Sequence, residues 1–512
     1  MLVHEILLAV CVASVPLRHR LSSDGIRMSF PYKTQPYGHQ SREFEITRKL
    51  KAWARFWEMG TGKTKTSIDE TASLFFDKEI NGLFVVAPNG VHRNWIVEEL
   101  PRHLPDSIKR VMHWYSGQRH ASRSHQSALR SVIDAPTTTL AALAMSYDSL
   151  MTEHGRLAAR EFMMTRRCMY IADEARRMKD PTAKRTKRML NSAPFAPFRR
   201  ILNGTPVSNG PFDVYSQIKF LDEKFWERHG ISSFMGFKTT FANFKPIIGP
   251  GGRSIQVVDS YKNLDMLHTW LQEISSRVCK EDVLDLPPKV YSRMTFELTP
   301  EQQRIYDGIV EEFMVFLETG DIVSAPLAIT RLLRLQQVTC GYVPADDTGK
   351  MVDIGKTNPR LELLETICED LPHKAIIWSR FKRGIDDVCN LLGKRAVRYD
   401  GSTSEEDRAK AIESFQRGDA QFFVGNQQAA GEGITLHAAR TVIRYARSFD
   451  LAVELQSDDR AHRIGQAFPV NYIDLVASGT VDVRISDCLE GKMDVAGQIT
   501  GDRAKDWLRN AD

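Results

Sequence analysis

The sequence predicts an α/β protein with two parallel sheets, and three observations support this. Short apolar runs rich in β-branched residues alternate with helix-length stretches from about residue 45 onward, and several of these runs end in polar residues. The chain has 512 residues, of which 42% are hydrophobic and 26% charged, so it can bury more than one core. We therefore expect buried parallel strands with functional groups at their carboxyl ends.

The predicted strands fall into two series separated by a long helix-rich segment. The first series comprises LFVVAP (83–88), CMYIADE (168–174) and RRILNGTP (199–206). The second comprises KAIIWS (374–379), AVRYDG (396–401), QFFVGN (421–426), TVIRYA (441–446) and VNYIDLVA (470–477). The division predicted from this pattern is domain 1 at 28–211, a helical insertion or linker region at 212–355, domain 2 at 356–490 and a C-terminal tail at 491–512.

The amino-terminal sequence and the cysteine pattern both indicate the cellular compartment of the protein. The apolar run at 5–16 is too short to span a bilayer and no Lys or Arg precedes it. Since residues 1–27 resemble nothing that follows, we expect translation to start at Met28 and 1–27 to be a non-native or disordered extension. The seven cysteines form no C-x-x-C pair, which argues against a zinc knuckle or a disulfide framework. This usage favours a reduced, cytoplasmic setting without membrane association.

A phosphate-binding loop is predicted where Glu58 precedes Met59-Gly60-Thr61-Gly62-Lys63-Thr64, before a helix-compatible stretch. Glycines allow successive backbone N–H groups to turn toward phosphate oxygens. Lys63 adds a positive charge at the β and γ phosphates, and the Thr64 hydroxyl can ligate Mg²⁺. The strict form of this motif has a small residue at position 57, where this chain has Trp57. The alternative is a glycine-rich helix start without a ligand.

A pair of carboxylates, Asp173 and Glu174, follows the apolar run 168–172. Asp173 can hold the Mg²⁺ shell, and Glu174 can polarise the attacking water. The alternative is that adjacent carboxylates cap a helix. Together with Lys63 and Thr64, the two carboxylates predict a nucleoside triphosphatase.

Two arginines far down the chain are candidates for completing that site. Arg460 and Arg463 are spaced i and i+3 on one predicted helix face, shortly before Gly465. Such a helix can equally be a solvated charged face. An arginine delivered to the γ-phosphate accelerates phosphoryl transfer by about 10³ to 10⁵.

Basic residues concentrate next to the predicted carboxylates. The net charge of +5 is small against 69 basic and 64 acidic side chains. From Arg176 to Arg200, however, nine Lys or Arg accompany one acid, Asp180. This density predicts a surface that tracks nucleic-acid phosphates without reading sequence, and Lys184, Arg185 and Lys187 are candidate contacts. The alternative is a solvated helix face. Likewise, Trp95, Phe225 and Trp226 could stack on bases or pack in a core.

Five motifs in order resemble those of the helicase superfamily 2 motor, and the last is typical of its SNF2-like branch. These motifs are MGTGKT (59–64), ADEA (172–175), LNGTP (202–206), AGEGITL (430–436) and QSDDRAHRIGQ (456–466). The resemblance covers nearly all of the chain after Met28, from about Pro36 to about Ile485, and fits the compact phage or bacterial type. It implies two RecA-like motor domains with helical insertions, ATP and Mg²⁺ as cofactors, and DNA as partner.

The resemblance also implies roles for individual residues. Gln40 corresponds to the glutamine that reads adenine, and Gly431 and Gly433 correspond to the motif that meets DNA and ATP. Pro88, Asn89 and Trp95 match the strand-tracking loop, and Thr205 matches the motif that couples hydrolysis to DNA contact. Arg463 corresponds to the principal arginine finger. At position 176, the usual histidine is replaced by Arg176, a departure that bears on how DNA gates hydrolysis.

The resulting functional hypothesis is a DNA-dependent ATPase that translocates on or remodels duplex DNA. One alternative is a helicase that separates strands or remodels branched DNA, for which residues 212–340 would have to supply a wedge. An alternative of another class is an ATPase or scaffold that acts on a protein partner.

Overall fold

A computed structural model of the chain describes residues 30–248, 254–318, 325–345, 350–429, 434–463 and 465–500. The extension predicted at 1–27 and the start proposed at Met28 lie outside these residues. The predicted fold class is confirmed, because the described chain contains two large parallel sheets. We refer to the sheets with their helices as the first and second lobe.

The first lobe is built on a seven-stranded parallel sheet with the order β3-β4-β2-β5-β6-β1-β9. Its strands are β1 (Ala52–Trp57), β2 (Gly82–Ala87), β3 (Arg110–Trp114), β4 (Leu140–Ser146), β5 (Cys168–Asp173), β6 (Phe198–Leu202) and β9 (Ser275–Val278). The central strands read as continuous apolar runs because both faces are covered. On β2, for example, Phe84 and Val86 enter one core and Leu83 and Val85 the other.

Helices cover both faces of this sheet. They are α1 (Gly38–Thr47), α2 (Lys63–Phe76), α3 (Val91–Asn94), α4 (Leu100–His103), α5 (Arg123–Ile133), α6 (Tyr147–Met151), α7 (Glu153–Thr165), α8 (Lys184–Ser192), α9 (Tyr215–Leu221), α10 (Phe225–Arg228), α11 (Phe234–Phe241) and α12 (Leu264–Gln272), with a π-helix at Trp95–Glu99. Between α11 and α12, β7 (Ala242–Ile248) and β8 (Ser254–Tyr261) pair as a separate antiparallel hairpin.

The second lobe is built on a six-stranded parallel sheet with the order β10-β17-β16-β13-β15-β14. Its strands are β10 (Lys289–Phe296), β13 (Ala375–Ser379), β14 (Ala396–Tyr399), β15 (Phe422–Gly425), β16 (Thr441–Ala446) and β17 (Val470–Ala477), and β11 (Tyr342–Pro344) pairs separately with β12 (Met351–Asp353). The helices from here to the carboxyl end are α13 (Lys280–Val283), α14 (Pro300–Glu318), α15 (Ala325–Thr339), α16 (Pro359–Asp370), α17 (Lys382–Leu392), α18 (Glu405–Gln416), α19 (Leu451–Asp458) and α20 (Val481–Thr500).

The division between the two sheets does not follow the predicted boundaries at 211 and 355. The segment 212–355 is divided between the lobes: β9 pairs with β1 in the first sheet, whereas β10 pairs with β17 in the second. The passage from one lobe to the other therefore lies between Val278 and Lys289. Phe225 and Trp226 are buried in the first core, which resolves their two alternatives in favour of packing.

The predicted tail at 491–512 also needs correction over its described part. Helix α20 runs through residue 490 to Thr500, and Ile499 is fully buried in the core of the first lobe. The Ile499 carbonyl lies 2.9 Å from His268 Nδ1 on α12. The second lobe is thus tied back to the first by its last helix. In the described part of the chain, no helix has both the length and the apolarity needed to cross a membrane.

A buried ionic cluster fastens α2 to the first sheet. Glu70 on α2 contacts Arg55 on β1 and Arg200 on β6, and all three side chains are fully buried. Arg200 Nε donates to Glu70 Oε2 over 2.9 Å. Burial alone would raise the pKa of Glu70, but Arg200 and Arg55 outweigh it and the pKa is lowered. Because a lowered folded-state pKa stabilises the ionised state, this contribution is present at neutral pH and lost on acidification.

We expect Glu70→Gln to lower the free energy of unfolding of the first lobe by about 3–5 kcal/mol, because it removes the carboxylate that pairs with two buried guanidinium groups. Urea denaturation followed by tryptophan fluorescence measures this. The matched control is Glu79→Gln, which removes an exposed pair with Arg167 and should cost less than about 1 kcal/mol. An equal loss of unfolding free energy in the two variants would contradict the role of Glu70 in the buried ionic cluster.

Candidate nucleotide and nucleic-acid site

The predicted phosphate loop connects the end of β1 to the start of α2. Gly60 and Gly62 both adopt left-handed backbone angles, with φ of 81° and 88°. The positive φ favours glycine at position 62, and a Cβ there would also displace the side-chain amide of Gln40. The loop is closed by Thr61 Oγ1, which donates to the Glu58 carbonyl over 2.7 Å. The resulting turn ends at a helix amino terminus, which favours anions.

Lys63, the first residue of α2, folds back over the loop. Its Nζ donates to the carbonyls of Trp57 and Glu58, at 2.8 and 3.2 Å. Burial lowers the pKa of Lys63, and the carboxylates of Glu174 and Asp173 oppose that shift. The amine therefore lies close enough to both carboxylates for their negative charges to stabilise its charged form. Thr64 follows it on the first turn and is half-buried.

Gln40 packs against the phosphate loop from α1. Its amide donates to the Thr61 carbonyl at 3.1 Å and accepts from the Tyr37 backbone N–H at 3.0 Å. His39 Nε2 lies 2.8 Å from the same Thr61 carbonyl. Met59 is half-buried on the other side, where a Cβ on Gly204 would lie 3.4 Å from Met59 Cγ. Residues predicted from separate motifs thus surround one loop.

Asp173 and Glu174 lie at the carboxyl end of β5, two strands from β1 in the sheet. Asp173 Oδ2 accepts from Trp95 Nε1 at 2.9 Å, and its Oδ1 accepts from the Glu174 backbone at 3.0 Å. Burial and the Glu174 charge raise the pKa of Asp173 to about 7. Glu174 has a left-handed φ of 50°, an uncommon conformation for a residue with a side chain. Such strain is typical of functional sites.

Glu174 is linked to the second lobe by two side chains. Gln456 Nε2 on α19 donates to Glu174 Oε2 at 3.3 Å, and Gln456 Oε1 accepts from Arg176 Nη2 at 2.8 Å. Arg176 Nε lies 3.8 Å from Glu174 Oε2, and its Nη1 lies 4.0 Å from Asp450 Oδ1. Arg176 therefore occupies the position next to the carboxylates with contacts on both lobes.

Arg460 and Arg463 follow α19 and contact Ile434 and Thr435, near the end of the glycine-rich loop. Arg463 Nη1 donates to Thr435 Oγ1 at 3.1 Å and its Nε donates to the Asp459 carbonyl at 2.9 Å. Arg460 is buried, and its Nη1 donates to the Ile434 carbonyl at 3.3 Å. Burial lowers the pKa of Arg463. The predicted residues Gly431 and Gly433 lie outside the described residues.

The predicted DNA contacts separate into two groups. Asp148 joins Asn89 and Arg185, accepting from them at 2.9 and 2.8 Å, so two motifs distant in sequence meet at one carboxylate. Lys184 and Lys187 are exposed on α8. Thr205, with its backbone held by Asn203 Oδ1 at 3.1 Å, is half-buried near the phosphate loop rather than beside α8.

The structure places Trp95, a predicted DNA contact, in the interior of the first lobe. Only 1% of Trp95 is exposed, and its indole N–H is used by Asp173. Its place at the start of the π-helix, packed in the core of the first sheet, makes it a support for the carboxylate. Sequence reasoning missed this role because Trp95 and Asp173 belong to different motifs, and only packing brings them together.

The oxygen donors at the site suit a cation that is held jointly with a nucleotide. Within the described ranges, no group of three or more His, Cys, Asp or Glu side chains could hold a metal by itself. The Asp173 carboxylate and the Thr64 hydroxyl are hard oxygen donors, which suit Mg²⁺ held jointly with phosphates. The raised pKa of Asp173 reflects a buried negative charge that such a cation would neutralise.

Comparisons with known proteins match both lobes. The SNF2-related domain model matches residues 56–341, and the helicase conserved C-terminal domain model matches residues 359–465. The SWI/SNF chromatin-remodeling complex subunit snf22 of Schizosaccharomyces pombe is 26% identical over 466 residues, covering 86% of this chain and 26% of that protein. The DNA annealing helicase and endonuclease ZRANB3 of Mus musculus is 27% identical over 454 residues, covering 87% and 39%.

This chain therefore spans between a quarter and two fifths of the length of these curated relatives. Among solved structures, a Sulfolobus solfataricus SWI2/SNF2 ATPase core in complex with dsDNA is 22% identical, with a TM-score of 0.40. The match covers 93% of this chain and 95% of that one.

We expect Trp95→Phe to lower nucleotide hydrolysis about tenfold, the equivalent of the ~1.4 kcal/mol that a hydrogen bond to a charged group contributes. The phenyl ring keeps the packing, so only the donor to Asp173 is lost. Steady-state hydrolysis assays and DNA-binding titrations measure the two effects separately. Weakened DNA binding with normal hydrolysis would restore the original prediction for Trp95.

Proposed function

Because the chain belongs to the SNF2-related family of superfamily 2 helicases, we propose that it is a DNA-dependent ATPase that couples hydrolysis to movement on or remodelling of duplex DNA. The observation that carries the proposal is the contact between Gln456 and Glu174 across the lobes. It joins the carboxylates beside the phosphate loop to the helix that leads to Arg460 and Arg463. A site assembled from two lobes responds to their relative movement, as a motor requires.

The proposed roles at the site follow from the contacts. Backbone N–H groups at Gly60, Gly62 and the start of α2 receive the phosphates, and Lys63 leaves the loop carbonyls to pair with them. Thr64 and Asp173 would hold Mg²⁺ brought with ATP, and the cation would neutralise charge on the phosphates. Glu174 accepts the proton of the attacking water, while Trp95 holds Asp173 in place. Gln40, packed on Thr61, is the proposed contact for the adenine.

DNA is proposed to bind along the surface that contains Asn89, Lys184, Arg185 and Lys187. The cations of this surface lie on α8, which follows the Glu174 segment in the chain. Asp148 fixes Arg185 and Asn89, whereas the exposed lysines are free to move toward phosphates. Binding of this kind depends on charge, is independent of base sequence, and weakens with salt.

Strand separation is the second candidate, and the β7–β8 hairpin favours it. The hairpin forms its own two-stranded sheet, and the described side chains of β8 are largely exposed. It lies within residues 212–340, the segment that would have to supply a wedge. A hairpin entering a fork would add unwinding to translocation without changing the ATP site.

The decisive experiment measures ATP hydrolysis without DNA and with single-stranded, duplex and forked DNA. We expect duplex DNA to stimulate hydrolysis and Glu174→Gln to reduce it by at least about 100-fold, because the proton acceptor is lost. Stimulation by duplex without unwinding supports translocation, whereas unwinding of forks supports the second candidate. Hydrolysis that no nucleic acid stimulates would contradict both.

We expect Arg463→Ala to lower turnover by about 10³ while ATP still binds, since an arginine finger acts on the transition state. Hydrolysis rates and binding of fluorescent mant-ATP distinguish these effects. Lys63→Ala is the comparison, because it should weaken binding itself. Equal loss of binding in both variants would exclude Arg463 as the finger.

A further inference from the structure

Lys280 stands at the passage between the lobes and is almost completely buried, with 2% of its surface exposed. It begins α13, two residues after β9 ends the first sheet. None of the five sequence motifs contains it. A buried lysine requires a counter-charge, because an isolated ammonium group is costly to remove from water.

The backbone of Lys280 is attached to the phosphate loop. Its N–H donates to Glu58 Oε2 at 3.0 Å, and a Cβ on Gly60 would lie 3.9 Å from Lys280 Cε. Arg277, three residues earlier, reinforces this attachment: its Nη1 donates to the Phe56 carbonyl at 2.7 Å and to the Gly204 carbonyl at 3.2 Å. The segment 277–280 is therefore fixed to the loop that receives phosphate.

The side chain of Lys280 contacts the second lobe. Its Nζ pairs with Asp459 Oδ1 at 2.7 Å and donates to the His462 carbonyl at 3.1 Å. Lys289 Nζ approaches the same Asp459 oxygen at 3.5 Å. Burial would raise the pKa of Asp459, but Lys280 and Lys289 outweigh it and hold the pKa below its usual range.

Asp459 in turn holds the proposed finger. Its backbone carbonyl accepts from Arg463 Nε at 2.9 Å, while its carboxylate is occupied by Lys280. A displacement of the phosphate loop is therefore transmitted through Glu58, Lys280 and Asp459 to the base of the Arg463 side chain. Each step is a polar contact between buried or half-buried groups, where a low dielectric strengthens electrostatic interactions.

We propose that Lys280 is a positioning residue that couples the phosphate loop to Arg463 through its ion pair with Asp459. The inference rests on the proposed ATPase function and deepens it. Lys280 acts through Arg463 and does not itself touch the reacting phosphate. It sets where the finger arrives when ATP binds, so removing it affects the rate of hydrolysis more than the binding of ATP.

The test is an epistasis experiment on the full chain with saturating duplex DNA. Lys280→Met should lower kcat about tenfold with little change in KM, but should cause no further loss in an Arg463→Ala background. Asp459→Asn should behave in the same way, and the double variant Lys280→Met/Asp459→Asn should be no worse than either single variant. Lys33→Met, which removes an ion pair with Asp106 in the first lobe, is the matched control and should leave kcat unchanged.

A second readout does not need hydrolysis. Hydrogen exchange of peptides covering residues 451–463 should be faster in Lys280→Met than in Lys33→Met, with mant-ATP binding showing that the phosphate loop remains folded. Unchanged exchange, or an equal loss of kcat with and without Arg463, would overturn the inference. Failure of the proposed function would give a different result. The unsubstituted protein would then not hydrolyse ATP, while the difference in hydrogen exchange between Lys280→Met and Lys33→Met would persist.

Discussion

Parallel pairing within each sheet is the constraint on which the whole site depends. In a parallel sheet all carboxyl ends lie at one edge, so loops that are far apart in sequence become neighbours. The phosphate loop after β1 and the carboxylates after β5 are separated by only one strand, β6. Without this geometry, the negative charges of Asp173 and Glu174 could not stabilise the charged form of Lys63.

Buried ionic contacts then convert this proximity into a defined geometry. Glu70, Arg55 and Arg200 fasten α2, whose first turn carries Lys63, to two strands of the first sheet. Gln456 and Lys280 make the corresponding links between the lobes, one at the carboxylates and the other at the phosphate loop. A partner lost from any such contact leaves a buried charge or dipole unsatisfied, so these contacts restrict the lobes to few arrangements.

Most of the strands could be predicted from sequence because buried parallel strands are short continuous apolar runs. The run 168–172 and the run 441–446, for example, both form central strands. The lobe boundary could not be predicted, because β9 and β10 carry mixed, half-exposed sequences. Their assignment to different sheets depends on pairing with β1 and β17, which are distant in the chain. The contact between Trp95 and Asp173 could not be predicted for the same reason.

The sequence by itself determined which chemical groups are present and in what order: the glycine-rich loop with Lys63, the paired carboxylates, and the arginines after α19. Local motifs encode these because each needs only a few neighbouring residues to define its backbone. The tertiary structure alone decided that Trp95 supports Asp173, that Arg176 and Gln456 join the lobes at Glu174, and that Lys280 reaches Asp459. These contacts join residues far apart in the chain, and only the packing of two sheets brings their side chains within hydrogen-bonding distance.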